Sequence, residues 1–174
     1  MGTDPGNPNS PNQDDQDPCK KPREERYHYF PLDSLQRSRG ASVLMCGKQD
    51  LKPGPRINIS SISVAGMPKP AENSIRPGFA TYNKTHIVGD EFYGAARSEN
   101  LFPGRDRMNK SGMRRCETKM KKELAAGNWV QYTGTLAYKG NNLIPTGIQM
   151  TAFTARGKLF DVRVENNQDW QTTC

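Results

Sequence analysis

The sequence predicts an α+β fold. Three observations carry that prediction: short apolar runs broken by proline and glycine before residue 80, one segment of helical periodicity near residues 109–126, and alternating apolar runs after it. Residues 1–22, MGTDPGNPNSPNQDDQDPCKKP, hold proline, glycine, asparagine and aspartate without a periodic apolar stretch. Such a segment cannot bury enough surface to offset its chain entropy. It is expected to be a disordered linker or tail, with the domain spanning 23–174 and order beginning near Tyr27. Ser42–Cys46 and Ile57–Val64 are apolar runs bounded by breakers such as Lys52-Pro53-Gly54-Pro55, and Thr81–Val88 is one more candidate strand. Ser98–Asp106 is expected to be a loop because it contains Pro103-Gly104. The clearest helix starts at Asn109 or Lys110, with Asn109 or Ser111 as its cap, and ends near Ala126 before Gly127. Met113, Cys116, Met120 and Leu124 form its apolar stripe. Strands are then expected over Trp129–Tyr138, Gly147–Ala155 and Lys158–Val164, the first two joined through Gly140-Asn141-Asn142.

The 174 residues suit one domain with a sizeable core, and a hydrophobic content of 33% is low enough to expect part of the chain to be unfolded. No apolar run reaches the roughly 18 residues of a membrane-spanning helix, and no signal peptide is visible at the N-terminus. The net charge is +7, but Asp4, Asp14, Asp15 and Asp17 lie in the tail, so residues 18–174 carry +11. That surplus fits a polyanionic partner, nucleic acid above all, although basic surfaces also serve solubility. Cys19, Cys46, Cys116 and Cys174 include no C-x-x-C pair, which argues against zinc; two disulfides and free buried thiols are both compatible with their spacing.

Two histidines simplify the search for chemistry. His28 lies in the aromatic cluster Tyr27-His28-Tyr29-Phe30 and is expected to be structural. His86 is followed by Gly89-Asp90-Glu91-Phe92-Tyr93-Gly94, then Ser98-Glu99-Asn100-Leu101-Phe102-Pro103, then Asn109 and Met113-Arg114-Arg115-Cys116-Glu117. Asn109 follows Asn100 by nine residues and Glu117 follows Asn109 by eight. This constellation, with Pro31-Leu32-Asp33-Ser34-Leu35, Leu143-Ile144-Pro145 and the Arg156-Gly157 turn, resembles the DNA/RNA non-specific endonuclease superfamily. The likeness is to secreted bacterial DNases and polymorphic-toxin nuclease domains, and it covers most of residues 27–165.

The resemblance implies a ββα-metal nuclease core: an antiparallel sheet with one metal-site helix. It implies a sequence-non-specific endonuclease that hydrolyses DNA, with RNA as a second substrate and Mg²⁺ as cofactor, Mn²⁺ substituting. His86 would activate water, since a neutral imidazole suits a general base near pH 7. Asn109 would be the metal ligand. Glu117, about 80° around an ideal helix and ~12 Å along it from Asn109, would orient metal-bound waters. Asn100 has two readings, a loop-holding amide or a group positioning the histidine or phosphate. Lys84, Arg97, Arg105 and Arg107 are candidate phosphate contacts. Arg114, Arg115, Lys119, Lys121 and Lys122 are expected to form the wet face of the helix, with contact to a DNA backbone as the alternative. Where the family has aspartate, arginine and glycine before its histidine, this chain has Asn83, Lys84 and Thr85. A carboxylate metal site at Asp90 and Glu91 lacks a third acid at suitable spacing. The resemblance further implies secretion, or delivery by a secretion system into a target cell, and for a toxin an acidic immunity protein as partner. The alternative is a non-catalytic basic nucleic-acid-binding module. An adaptor domain has only the flexible tail in its favour.

Overall fold

The computed structural model describes residues 17–174, so the expectation for residues 1–16 lies outside it. Order starts earlier than Tyr27. Pro18–Lys20 forms a 3₁₀ turn capped by Asp17, and Cys19 is bonded to Cys46. A single helical turn, α1 (Arg23–Arg26), leads into β1 (Tyr27–Tyr29). Composition missed this because one cross-link fixes a segment too polar to order itself.

Five strands form an antiparallel sheet in the order β1, β2 (Gly40–Cys46), β5 (Trp129–Ala137), β6 (Gly147–Thr154) and β7 (Gly157–Glu165). Their inward residues follow the period of two that strands require, as in β5, where Val130, Tyr132, Gly134 and Leu136 face the core. A separate two-stranded ribbon pairs β3 (Tyr82–His86) with β4 (Leu101–Arg105). The segment expected to be a loop at Ser98–Asp106 is therefore half strand. Pro103 is tolerated because a two-stranded ribbon has free edges that need no N–H there.

The helix differs at its start. Met108–Met113 is a π-helical segment that runs directly into α2 (Arg114–Ala125), with no side-chain cap at the junction. Neither Asn109 nor Ser111 caps it; the Ser111 hydroxyl donates back to the Arg107 carbonyl at 2.7 Å. The stripe Met113, Cys116, Met120 and Leu124 is buried against the sheet as expected. The helix ends in a Schellman-type closure: Asn128 N–H reaches Glu123 O at 3.0 Å, and Gly127 takes φ +87°.

Between β2 and β3 residues 51–80 form a long strap without a regular strand, so Ile57–Val64 is irregular. Side chains from elsewhere pin it. Lys84 Nζ donates to the carbonyls of Ser60 and Ile62, Ser98 Oγ donates to Ser63 O, and Lys52 Nζ pairs with Asp90. No helix among the described residues is long and apolar enough to cross a membrane.

A second disulfide joins Cys116 in α2 to Cys174, 58 residues on; Cys19 and Cys46 are 27 apart. Loop-closure entropy predicts that each bond adds about 3.5–4 kcal/mol by constraining the unfolded chain. Urea unfolding of Cys116→Ser/Cys174→Ser should show a loss of that size, and a loss below about 1 kcal/mol would mean that packing alone holds the C-terminal segment.

Candidate active site

The ribbon, the π segment and the strap enclose a cleft of 1060 Å³. Alternation along β3 puts Tyr82, Lys84 and His86 on one face, and all three line the cleft. From the helix come Asn109, Lys110, Arg114 and Glu117, and from the strap Arg56. Four of the residues expected at a site thus meet in one place: Lys84, His86, Asn109 and Glu117. His28 does not; it is exposed on β1, opposite Ser42.

His86 is the last residue of β3, and the backbone beyond it is clamped. Ile87 N–H donates to Asn100 O at 2.9 Å, and Tyr132 Oη donates to Ile87 O at 3.0 Å. Asn100 is fully buried, which settles where its side chain goes. Its Oδ1 accepts from Val88 N–H at 2.8 Å, and its Nδ2 donates to Val88 O and Ala95 O at 2.9 and 3.0 Å. Its side chain does not line the cleft. The turn it holds also requires Gly94, where a Cβ would lie 1.7 Å from Val88 O. Asn100 therefore positions the chain behind His86 rather than meeting substrate.

Burial holds the His86 imidazole below its ordinary 6.5; Asp90 opposes this, and Arg56 and Lys52 deepen it. The Glu117 carboxyl is pushed up to about 7, first by burial and then by the charge of Glu91. No hydrogen-bond donor within the described residues serves Glu117, and no partner serves the Asn109 side chain. A half-buried carboxylate and an amide oxygen without protein partners, facing one cleft, fit a hydrated divalent cation, which needs few protein ligands. An all-carboxylate site does not fit. No group of three or more His, Cys, Asp or Glu gathers among the described residues, and Asp90 is held by Lys52 at 2.9 Å.

The expected phosphate contacts fare differently. Lys84 lines the cleft, but its ammonium is engaged by Ser60 and Ile62 at 2.8 and 2.5 Å, so it pins the strap. Asn83 likewise turns to Asp106, at 3.1 Å. Arg97, Arg105 and Arg107 are not in the cleft wall. Arg97 lies over Tyr29 beside Glu99, Arg105 packs over Tyr82, and Arg107 flanks Trp170. The guanidiniums that do face the cleft are Arg56 and Arg114, neither of which has a carboxylate partner among the described residues. Arg114, expected on the wet face of the helix, carried a signal that could have found it: it lies three residues before Glu117, on the same helix face. Arg56 carried none, because nothing in an irregular strap marks which residue turns inward.

Residues 18–155 match the family model described as DNA/RNA non-specific endonuclease. The chain belongs to that family. It is a hydrolytic nuclease with the ββα-metal fold, in which β3, β4 and the helix are the ββα unit. No curated protein matches the sequence closely enough to count as a relative. Among solved structures it is similar to NucA from Streptococcus agalactiae with a magnesium ion bound, at TM-score 0.67 and 17% identity over 82% of this chain and 70% of that one. It is similar to Sda1 nuclease with a bound zinc ion, at TM-score 0.66 and 20% identity over 81% and 73%. An extracellular endonuclease matches at TM-score 0.56 and 19% identity over 83% and 79%.

The Asn100 clamp yields a stability test. Asn100→Asp replaces an amine that serves two carbonyls with a carboxylate oxygen, and should lower unfolding stability by at least about 2 kcal/mol. An unchanged urea midpoint would show that the turn behind His86 does not depend on that amide.

Proposed function

We propose that this nuclease is a sequence-non-specific endonuclease that cleaves DNA, and RNA as a second substrate, using Mg²⁺, with Mn²⁺ able to substitute. The observation that carries the reading is the convergence of His86, Asn109 and Glu117 on one cleft with two unpaired guanidiniums. His86, neutral near pH 7, takes a proton from water as the water oxygen bonds to phosphorus. Arg56 and Arg114 bind the phosphate oxygens, where negative charge accumulates; the bond to the leaving sugar oxygen breaks, and that oxygen keeps the electron pair and takes a proton from solvent. Asn109 would hold the metal and Glu117 its waters; the bound cation would supply charge stabilisation and orientation of the phosphate. Low specificity follows from contacts suited to backbone phosphates rather than base edges.

Secretion is the delivery route we favour. Both disulfides need an oxidising compartment to form and persist, and an effector acting in a target cytosol would face the thiol pool there. Similarity to an extracellular endonuclease supports the same reading.

Supercoiled plasmid and total RNA, each incubated with Mg²⁺ or EDTA, provide the test. Wild type should degrade plasmid only with the metal, and His86→Ala should lose ~10²–10⁴-fold of the rate while remaining folded by circular dichroism. Cleavage that survives EDTA or the loss of His86 would sink the assignment, and a salt-sensitive mobility shift without cleavage would favour a binding module.

The pH profile gives an independent check. Because the His86 pKa is depressed, the base stays neutral further into acid than free imidazole, so the acid limb of kcat/KM should lie below pH 6.5. Arg56→Ala removes a nearby positive charge and should move that limb upward, whatever it does to the absolute rate. A limb at or above 6.5 in wild type would contradict the role given to His86.

A further inference from the structure

Trp170 is 62% exposed, the most open large hydrophobic side chain among the described residues. An isolated exposed aromatic needs no explanation, but this one is held rigidly. Gln168 Oε1 accepts from Arg107 N–H at 3.1 Å, Gln171 Nε2 donates to Glu165 O at 2.7 Å, and Thr173 Oγ1 donates to Gly112 O. Cys174 then closes the segment onto α2 through Cys116. The indole is flanked by two guanidiniums, Arg107 at 5.6 Å and Arg115 at 5.1 Å from the ring centroid. Both stand farther from the ring than Arg23 stands from Tyr93, at 3.8 Å. Neither has a carboxylate partner among the described residues.

The position matters as much as the composition. The segment carrying the indole is tied to the stretch that also supplies Asn109 and Arg114 to the cleft: Arg107 N–H donates to Gln168, Gly112 O accepts from Thr173, and Cys116 is bonded to Cys174. A π face with positive charge beside it, on a backbone already ordered, is what binds an unstacked base and its flanking phosphates. A base within a duplex is already stacked and could not use the ring.

We propose that Trp170, Arg107 and Arg115 form a platform that stacks a base of a single-stranded stretch of the nucleic acid whose backbone also enters the His86–Asn109 cleft. This rests on the nuclease reading. It gives the enzyme a grip on frayed or single-stranded substrate that a duplex does not receive.

The full chain carrying His86→Ala and Trp129→Phe keeps Trp170 as its sole indole and does not consume substrate. In EDTA, a fifteen-nucleotide oligothymidylate should quench its fluorescence. Adding Trp170→Ala should weaken binding of the fluorescein-labelled oligomer by about 5- to 100-fold, the range one stacked base contributes, and Trp170→Phe should restore most of it. A blunt duplex of equal length should bind alike with and without the indole. No quenching, or equal weakening for single strand and duplex, would overturn the platform. Plasmid cleavage by wild type separates the two ideas. Cleavage without quenching removes the platform alone, whereas quenching without metal-dependent cleavage keeps the platform and removes the nuclease reading.

Discussion

The buried amide of Asn100 is the interaction on which the cleft depends. His86 comes from a two-stranded ribbon and Asn109 from a helix, so their separation is only as fixed as the chain on either side. Isolated two-stranded ribbons are marginal in water. This one is stiffened because Asn100 bonds Val88 on both its N–H and its C=O, reaches Ala95 as well, and receives Ile87 N–H on its own carbonyl. Removing water from these groups makes each bond count for more and leaves no alternative partner. The turn after His86 is thereby tied by side-chain as well as backbone hydrogen bonds.

The helix side is fixed by a different device. Gly112 lets the π segment press against β7, where a Cβ would come within 2.5 Å of Val164 Cγ1, and Met108 and Met113 are buried on either side of it. In an uninterrupted α-helix Asn109 and Glu117 would sit about 80° apart. The wider turn over Met108–Met113 alters the phase between them, and both side chains line the same cleft. π segments often mark functional sites for this reason: one turn is reshaped while the rest of the helix keeps its packing stripe.

What was legible in the sequence follows from which interactions are local. The stripe from Met113 to Leu124, the stop at Gly127 and the strands after it are encoded by periodicity and a few breakers, and they lie where expected within a residue or so. His86, Asn109 and Glu117 were legible by resemblance and converge in space. What could not be read depends on contacts far apart in sequence. Cys19 bonds to Cys46 and so orders a segment that composition assigns to a tail. Pro103 reads as a loop residue until β3 is laid beside it. Lys84 reads as a candidate phosphate contact by sequence, yet carbonyls 22 and 24 residues earlier claim its ammonium. Arg107 reads as a phosphate contact beside the motif, yet it lies outside the cleft wall, next to Trp170, 63 residues on.

The electrostatics of the cleft have one source. Burial disfavours charge of either sign, so the same wall that lowers the His86 pKa raises that of Glu117. Near pH 7 the histidine is held in the neutral form a base requires, while the carboxyl sits close to its own midpoint. Arg56 acts on both groups in the same sense, lowering each pKa, which favours neutral imidazole and ionised carboxylate together. One exposed guanidinium on an irregular strap thus pushes both cleft groups toward the states that the proposed chemistry needs. The strap in turn stays in place because Lys84 holds it there. The ribbon lysine thus anchors the strap whose Arg56 faces the cleft.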